Sequence, residues 1–391
     1  MIERNLTNVL KSLAKKFPVV TITGPRQSGK STLCRAIFSK HPYANLEAPD
    51  VRAFASEDPR GFLAQYSHGA IIDEIQRCPL LPSYLQEKID NDPKPGRWIL
   101  TGSQNLALLQ SISQSLAGRT AVLHLLPLNY DEVCRFKKHP KTLDDVMFAG
   151  GYPRIFDRHI PPADWFGSYV ATYIERDVRT ISNIGDMTTF QRFVQLCAGR
   201  TSQLLNLSAL AGDCGISQPT VKAWLSVLET SFIVFTLPCF SGNLRKRLVK
   251  MPKLHFYDTG LVCWLIGIRD AGQLKNHPLR GAIFETWVVS EILKQRANKN
   301  KPAGLFFYRD QHGLEADLII ENAKEYKIIE IKAGQTPSGD ILNSAAKIND
   351  KFKKIGNTQV FGVYGGQMKQ TRDKGILLPW NALNEITTLD S

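Results

Sequence analysis

The sequence predicts an α/β chain of three units, and three observations carry that prediction. A β-branched run, Val19-Val20-Thr21-Ile22-Thr23, passes straight into a glycine-rich loop and then a helix-compatible segment, the strand, loop, helix order of a parallel-sheet phosphate-binding unit. From about residue 164 strands give way to helical spacing, at Tyr169, Tyr173, Ile174 and Val178. Near residue 306 short period-two runs return, and they end in carboxylates and a lysine.

The length of 391 residues exceeds one ordinary domain, and the pattern changes set expected units of 1–160, 161–270 and 271–391. A composition of 43% hydrophobic and 22% charged residues excludes disordered and collagen-like classes. No apolar run approaches the roughly 18 residues of a membrane span, so no membrane association is expected. Met1-Ile2-Glu3-Arg4-Asn5 lacks the apolar core of a secretory signal, and a cytoplasmic location is the expectation. Seven cysteines, an odd number without a Cys-x-x-Cys pair, make neither a zinc site nor a disulfide framework. A formal charge of +13 draws the chain toward polyanions, and DNA is the expected partner.

In the first unit, Gly24-Pro25-Arg26-Gln27-Ser28-Gly29-Lys30-Ser31 is a complete Gly-x-x-x-x-Gly-Lys-Ser loop, followed by Thr32. Its glycines let the backbone N–H groups wrap around phosphates, Lys30 reaches the β/γ oxygens, and Ser31 is set for Mg²⁺. The helix that starts there adds its dipole. ATP and Mg²⁺ are therefore the expected cofactors. Ile71-Ile72-Asp73-Glu74 is a second buried-strand run, ending in adjacent carboxylates. Asp73 would hold the metal's water shell and Glu74 would polarise the attacking water, which favours hydrolysis over binding alone.

A further run, Trp98-Ile99-Leu100-Thr101, enters Gly102-Ser103-Gln104-Asn105 and offers Ser103 and Asn105 as γ-phosphate sensors. A plain turn with a helix cap uses the same residues. Arg119 is a candidate arginine finger, supplied to a neighbouring subunit, with a surface arginine as the plainer alternative.

These motifs, with Leu-Ala-Gly-Arg at residues 116–119, Gly150-Gly151-Tyr152-Pro153 and Tyr173-Ile174-Glu175-Arg176-Asp177-Val178, resemble the AAA+-type ATPases of bacteria and archaea, and the resemblance covers essentially the whole chain. It implies a P-loop AAA+ ATPase domain, a winged-helix domain and a C-terminal α/β restriction-endonuclease-like domain. Assembly as a homo-oligomer with shared active sites follows from a finger acting in trans.

Residues 207–225 read as helix, glycine turn and second helix, with Ser217 as cap and Pro219 in the first turn. Gln218, Thr220 and Lys222 open the second helix, the end that reads base edges in a DNA-bound helix-turn-helix. The basic stretch Arg245-Lys246-Arg247-Leu248-Val249-Lys250-Met251-Pro252-Lys253 is expected to form a wing on phosphates. Such modules also serve as packing or protein-contact elements.

In the third unit Glu285 lies near the start of an amphipathic helix, and Asp317 precedes Glu330-Ile331-Lys332 by about a dozen residues, the PD-(D/E)xK pattern. Period two puts Glu330 and Lys332 on one strand face, where Asp317 and Glu330 can hold Mg²⁺ and Lys332 can position the water. Glu285 would complete the metal shell, as the resemblance to Holliday-junction resolvases implies. Surface ion pairs give the same short pattern. The expected function is an ATPase whose nucleotide state controls DNA binding and an Mg²⁺-dependent nuclease-like domain. The alternative is a non-nucleolytic switch whose last domain only binds DNA or protein. A small-molecule kinase would explain the loop and leave the remainder unused.

Overall fold

Val19–Thr23 (β1) is buried at every position, as a strand covered on both faces must be. In the computed structural model, which describes residues 2–103, 115–173, 186–241 and 250–388, it pairs in parallel with Trp98–Gly102 (β4) and Thr120–His124 (β5). Ala70–Asp73 (β3) and Tyr43–Asn45 (β2) extend the sheet to the order β2-β3-β4-β1-β5. Neighbouring residues feed opposite faces. Val19, Ile72, Trp98 and Leu100 join one core with Leu81 and Leu85 of the helix Leu81–Asn91. Val20, Ile22, Ile71 and Ile99 join another with Leu33 of Lys30–Ile37 and Leu10 of Thr7–Ala14. Burying each such side chain contributes about 1.5–3 kcal/mol, so alternation fixes both the register and the two helical layers. All five strands being parallel, Thr23, Asp73 and Gly102 end at one edge, outside which ligands bind in such sheets.

By its internal contacts the chain divides into two units, one of Met1–Leu128 with Thr230–Phe232 and Ala297–Lys301, the other holding the remainder. The expected boundaries near 160 and 270 both fall inside the second unit. For the first boundary the reason is local: the buried Asp258 carboxylate accepts from Gly151 N at 2.7 Å and from Gly260 N at 2.9 Å, tying the glycine turn that precedes residue 160 to the helix Thr259–Leu265.

Within that second unit the helices Leu207–Cys214 and Gln218–Thr230 meet at Gly215, whose φ of +70° favours glycine. Ser217 Oγ accepts from Thr220 N at 3.2 Å, as a cap does. Val221 and Leu228 are fully buried, and Trp224 packs edge-on to Phe190 and Phe193, which leaves Gln218 and Lys222 exposed. Gln218 Nε2 is itself bonded to Ser208 Oγ. Gln203–Leu204 (β6), Val234–Leu237 (β7) and Lys253–Phe256 (β8) form an antiparallel sheet of order β6-β8-β7. Residues 242–249, most of the expected wing, lie outside the described residues, as do Asn105 and residues 174–178. Lys253 corrects the wing expectation: it begins β8 with only 5% of its surface exposed.

The other sheet of this unit is mixed. Leu305–Arg309 (β9), Glu315–Asn322 (β10), Glu325–Lys332 (β11), Asn357–Tyr364 (β12), Gln370–Arg372 (β13) and Gly375–Pro379 (β14) run in the order β13-β14-β12-β11-β10-β9. The helix Asn343–Phe352 connects β11 to its parallel neighbour β12, the crossover that parallel pairing requires. Its Ala345, Ile348 and Phe352 pack on Ile319, Ile328 and Val360. That packing covers one face of the sheet and leaves the ends of β10 and β11 to polar side chains.

Candidate functional site

The loop after β1 is shaped by backbone alone. Gly24 has φ +151°, and a Cβ there would stand 2.2 Å from Leu125 O; Gln27 and Gly29 also take positive φ. Lys30 Nζ donates to Gly24 O at 2.9 Å and Pro25 O at 2.8 Å, so its ammonium already lies within the loop. Burial lowers the Lys30 pKa to about 8, with Glu74 and Asp73 pulling it back up. Ser28 is fully buried, and its Oγ and that of Thr23 have no hydrogen-bond partner. Buried orphan hydroxyls beside a ring of loop amides fit a polyphosphate. Arg26 is half-buried, 3.9 Å from Glu47, and Thr32 is exposed on the helix's first turn.

Asp73 closes β3 beneath this loop. Ser31 Oγ donates to its Oδ2 at 2.7 Å, Tyr43 OH donates to the same oxygen at 2.5 Å, and Thr101 Oγ1 bonds Oδ1. The serine and aspartate expected to share a magnesium ion are thus adjacent, which fits that ion. Burial and then Asp73 push the Tyr43 phenol well up. Glu74 follows in the left-handed region, φ 56° and ψ 46°, a conformation that costs a non-glycine residue roughly 1–3 kcal/mol and collects at working sites. Ser103 Oγ donates to Glu74 Oε2 at 3.0 Å, and Gln76 Nε2 bonds both groups. Ser103, Gln76 and Glu74 therefore form one polar knot at the strand edge.

Arg119 stands elsewhere. It directly precedes β5, whose Thr120 pairs with Val19, so it lies at the opposite end of the sheet, roughly 16 Å of strand from the loop. Its guanidinium is bidentate to Asp90, at 2.5 and 2.8 Å.

The C-terminal candidates are brought together by cross-strand pairing. Leu318 pairs with Ile329, so Asp317 and Glu330 follow as the next opposed positions of the antiparallel ladder, on one face. Ile331 N donates to Asp317 Oδ2 at 2.8 Å. Lys332 Nζ lies 2.6 Å from Glu330 Oε1 and 3.8 Å from Asp317 Oδ2. Glu285, from the helix Arg280–Asn298, joins the same group, but its carboxylate is engaged by Lys253 Nζ at 2.9 Å, and that ammonium also meets Glu315 Oε1 at 2.7 Å. These residues line an open cavity of about 670 Å³ with Ser202, Arg309 and Ser344.

Burial first, and then the neighbouring Asp317 charge, raise both Glu285 and Glu330 to about 7. Burial likewise raises Asp317, against the pull of Lys332 and Lys253. Burial alone would lower Lys253, but Glu285, Asp317 and Glu315 more than reverse it. Among the described residues no group of three or more His, Cys, Asp or Glu side chains is arranged to hold a metal ion. Asp317 and Glu330 remain as a two-carboxylate donor set, and Glu330 Oε2 is buried without a partner. Magnesium is ordinarily held by one or two carboxylates, with water and substrate phosphate completing its shell, and this pair fits that requirement.

Several residues of these sites escape a reading of motifs. Arg4 donates to Ser28 O and Leu126 O, each at 2.8 Å, and so braces the phosphate loop from outside it. Tyr43, Gln76 and Thr101 fix the two strand-end carboxylates. Glu315 stands two residues before Asp317, and the period-two signal used for Glu330 and Lys332 finds it as well. Lys253 carries no such signal.

Residues 16–134 match a family described as an AAA domain. Two domains of unknown function, DUF8612 and DUF4143, match residues 140–272 and 280–383. An uncharacterized protein of Mycobacterium tuberculosis is 32% identical over 332 residues, covering 84% of this chain and 73% of the relative, and a Mycobacterium bovis protein matches equally. A protein of Methanocaldococcus jannaschii is 22% identical over 80% of this chain and 73% of its own. Among solved structures, a Walker-type ATPase of Pyrococcus abyssi aligns at 17% identity and TM-score 0.43, over 68% of this chain and 96% of the other. The AMPPCP-bound DnaA of Aquifex aeolicus aligns at 13% identity and TM-score 0.30, over 57% and 85%.

Proposed function

Because this chain belongs to the family of its mycobacterial relatives and carries an AAA-type ATPase domain, we propose that it uses ATP to govern a DNA-binding segment and a magnesium-dependent phosphodiesterase centre in its C-terminal sheet. The observation that carries the second half is the convergence of Asp317, Glu330 and Lys332 on one face of β10–β11, with a buried, unpartnered carboxylate oxygen. When bound, magnesium supplies positive charge to the phosphate under attack. The chain's own residues hold that ion through Asp317 and Glu330 and present the Lys332 ammonium, half-exposed at the cavity, to the water or the phosphate. On the ATPase side, Glu74 positions the attacking water, Ser103 and Gln76 aim Glu74, and Lys30 meets the phosphates.

DNA binding draws on the net charge of +13 and on the exposed start of Gln218–Thr230 in a winged-helix arrangement. Arg119, at the far edge of the sheet, reaches a γ-phosphate only across a subunit boundary, so specific ATPase activity should rise with protein concentration in a homo-oligomer. A second reading, a non-nucleolytic switch, is favoured by the lysine pairing of the acidic residues: each of Glu285, Glu315, Asp317 and Glu330 has an ammonium within 4 Å.

The deciding assay incubates the full chain with plasmid, linear and branched DNA in magnesium, with and without ATP. Cleavage lost in Asp317→Ala but partly kept in Lys30→Ala establishes the nuclease. Hydrolysis of ATP without cleavage under any condition leaves the switch.

A further inference from the structure

The acidic face carries more carboxylates than its magnesium-binding half uses. Glu315 and Asp317, two residues apart on β10, line the same cavity as Glu285. Asp317 and Glu330 share Lys332, whose side chain is half-exposed. Glu285 and Glu315 instead converge on Lys253, whose side chain is 6% exposed and whose ammonium lies 2.9 and 2.7 Å from their oxygens.

Three features distinguish this lysine from a surface ion pair. Its backbone is fixed in the central strand of a three-stranded sheet, paired with Leu204 on one side and Leu237 on the other. Its ammonium also stands 5.4 Å over the Phe307 ring, which favours a cation there. And Glu330 Oε2 is a buried carboxylate oxygen without a partner, whereas Glu285 and Glu315 each place an oxygen on Lys253.

The geometry points to Lys253 as a resident cation of the Glu285–Glu315 half, standing where a second divalent ion would otherwise be drawn by the mostly buried Glu285 and the part-exposed Glu315. A carboxylate as buried as Glu285, with a second one beside it, requires compensation by some cation, and a lysine supplies it at any magnesium concentration. The centre then takes at most one divalent ion, at Asp317 and Glu330. This inference builds on the metal-dependent reading proposed above but is separable from it.

The test is calorimetric titration of Mn²⁺ into the nucleotide-free full chain. Lys253→Met is expected to bind one more ion per chain than the wild type, Lys253→Arg no more than the wild type, and Lys253→Met with Glu315→Gln to lose the added ion. A Lys253→Met chain that gains no ion overturns the inference, as does a wild type that loses a bound ion on Glu315→Gln. A wild type that binds none, beside a variant that binds one, removes the metal-dependent reading and keeps the role of Lys253. Should Lys253→Met fold poorly, Mn²⁺ is expected to raise its melting temperature and leave that of Lys253→Arg where it is in the wild type, and absence of that rescue also overturns the inference.

Discussion

The phosphate loop and the carboxylate–lysine cluster both lie at strand ends, yet they are assembled in opposite ways. The loop's ligand-facing groups come from one contiguous stretch, Gly24 to Ser31, and most are backbone, so their geometry follows from the positive φ angles of Gly24, Gln27 and Gly29. The cluster draws side chains from β8, the helix Arg280–Asn298, β10 and β11, and only tertiary packing brings Lys253 to Glu285 and Glu315. A contiguous site tolerates change in its surroundings and fails when its own residues change. An assembled site depends on each contributing element, and its charges shift one another.

The largest expected effect tests the strained carboxylate that follows β3, outside the contiguous stretch. Glu74→Gln should lower ATP hydrolysis by about 10²–10⁴-fold, the usual worth of a positioned general base, while leaving nucleotide affinity close to that of the wild type. Phosphate release measured beside calorimetric ATP binding separates the two. Unchanged hydrolysis would take the catalytic role from Glu74 and leave its left-handed backbone a matter of turn geometry.

Arg4 tests whether the loop is as self-contained as its sequence implies. Arg4→Met removes the donors to Ser28 O and Leu126 O, and a buried acceptor left unpaired costs about 1–3 kcal/mol. The expected outcome is a lower melting temperature in thermal denaturation together with weaker ATP binding. A drop in stability with ATP affinity intact would make Arg4 a brace of the fold and not of the loop.

The legibility of each region in the sequence follows the same division. Strands β1, β3 and β4 and the loop were readable because apolar runs and a fixed spacing encode them locally, whereas the three residues of β2 carry no such run. Asp317, Glu330 and Lys332 were readable in part, since period two and the antiparallel turn at residues 322–325 bring them to one face. Lys253 was not. A basic run suggests solvent, and nothing within it tells which member turns inward; the inward turn is set by β6 and β7 on either side. Arg4 was hidden for a similar reason, because its two partners lie far along the chain at Ser28 and Leu126.

The smallest expected effect tests the charge coupling that only the assembled site has. Glu330 and Glu285 titrate near 7 in the native chain, against an ordinary value of 4.5, because burial and Asp317 favour their protonated forms. The native state therefore binds more protons than the unfolded chain between those values. The stability these groups contribute is complete below about pH 4.5 and is lost as pH rises through 7. Glu330→Gln is neutral at every pH and leaves Lys332, half-exposed, to water. It should flatten the decline and melt higher than the wild type at about pH 8, by roughly 2–4 °C for each kcal/mol of repulsion relieved. At pH 4 the two chains should melt nearly together. Mn²⁺ affinity of the wild type should rise through the same window, because the ion needs the carboxylates ionised. A wild type whose melting temperature is level between pH 5 and 8, with Glu330→Gln parallel to it, would mean that Lys332 and Lys253 hold the four carboxylates ionised throughout, and the cluster would then resemble the phosphate loop in answering to its own residues alone.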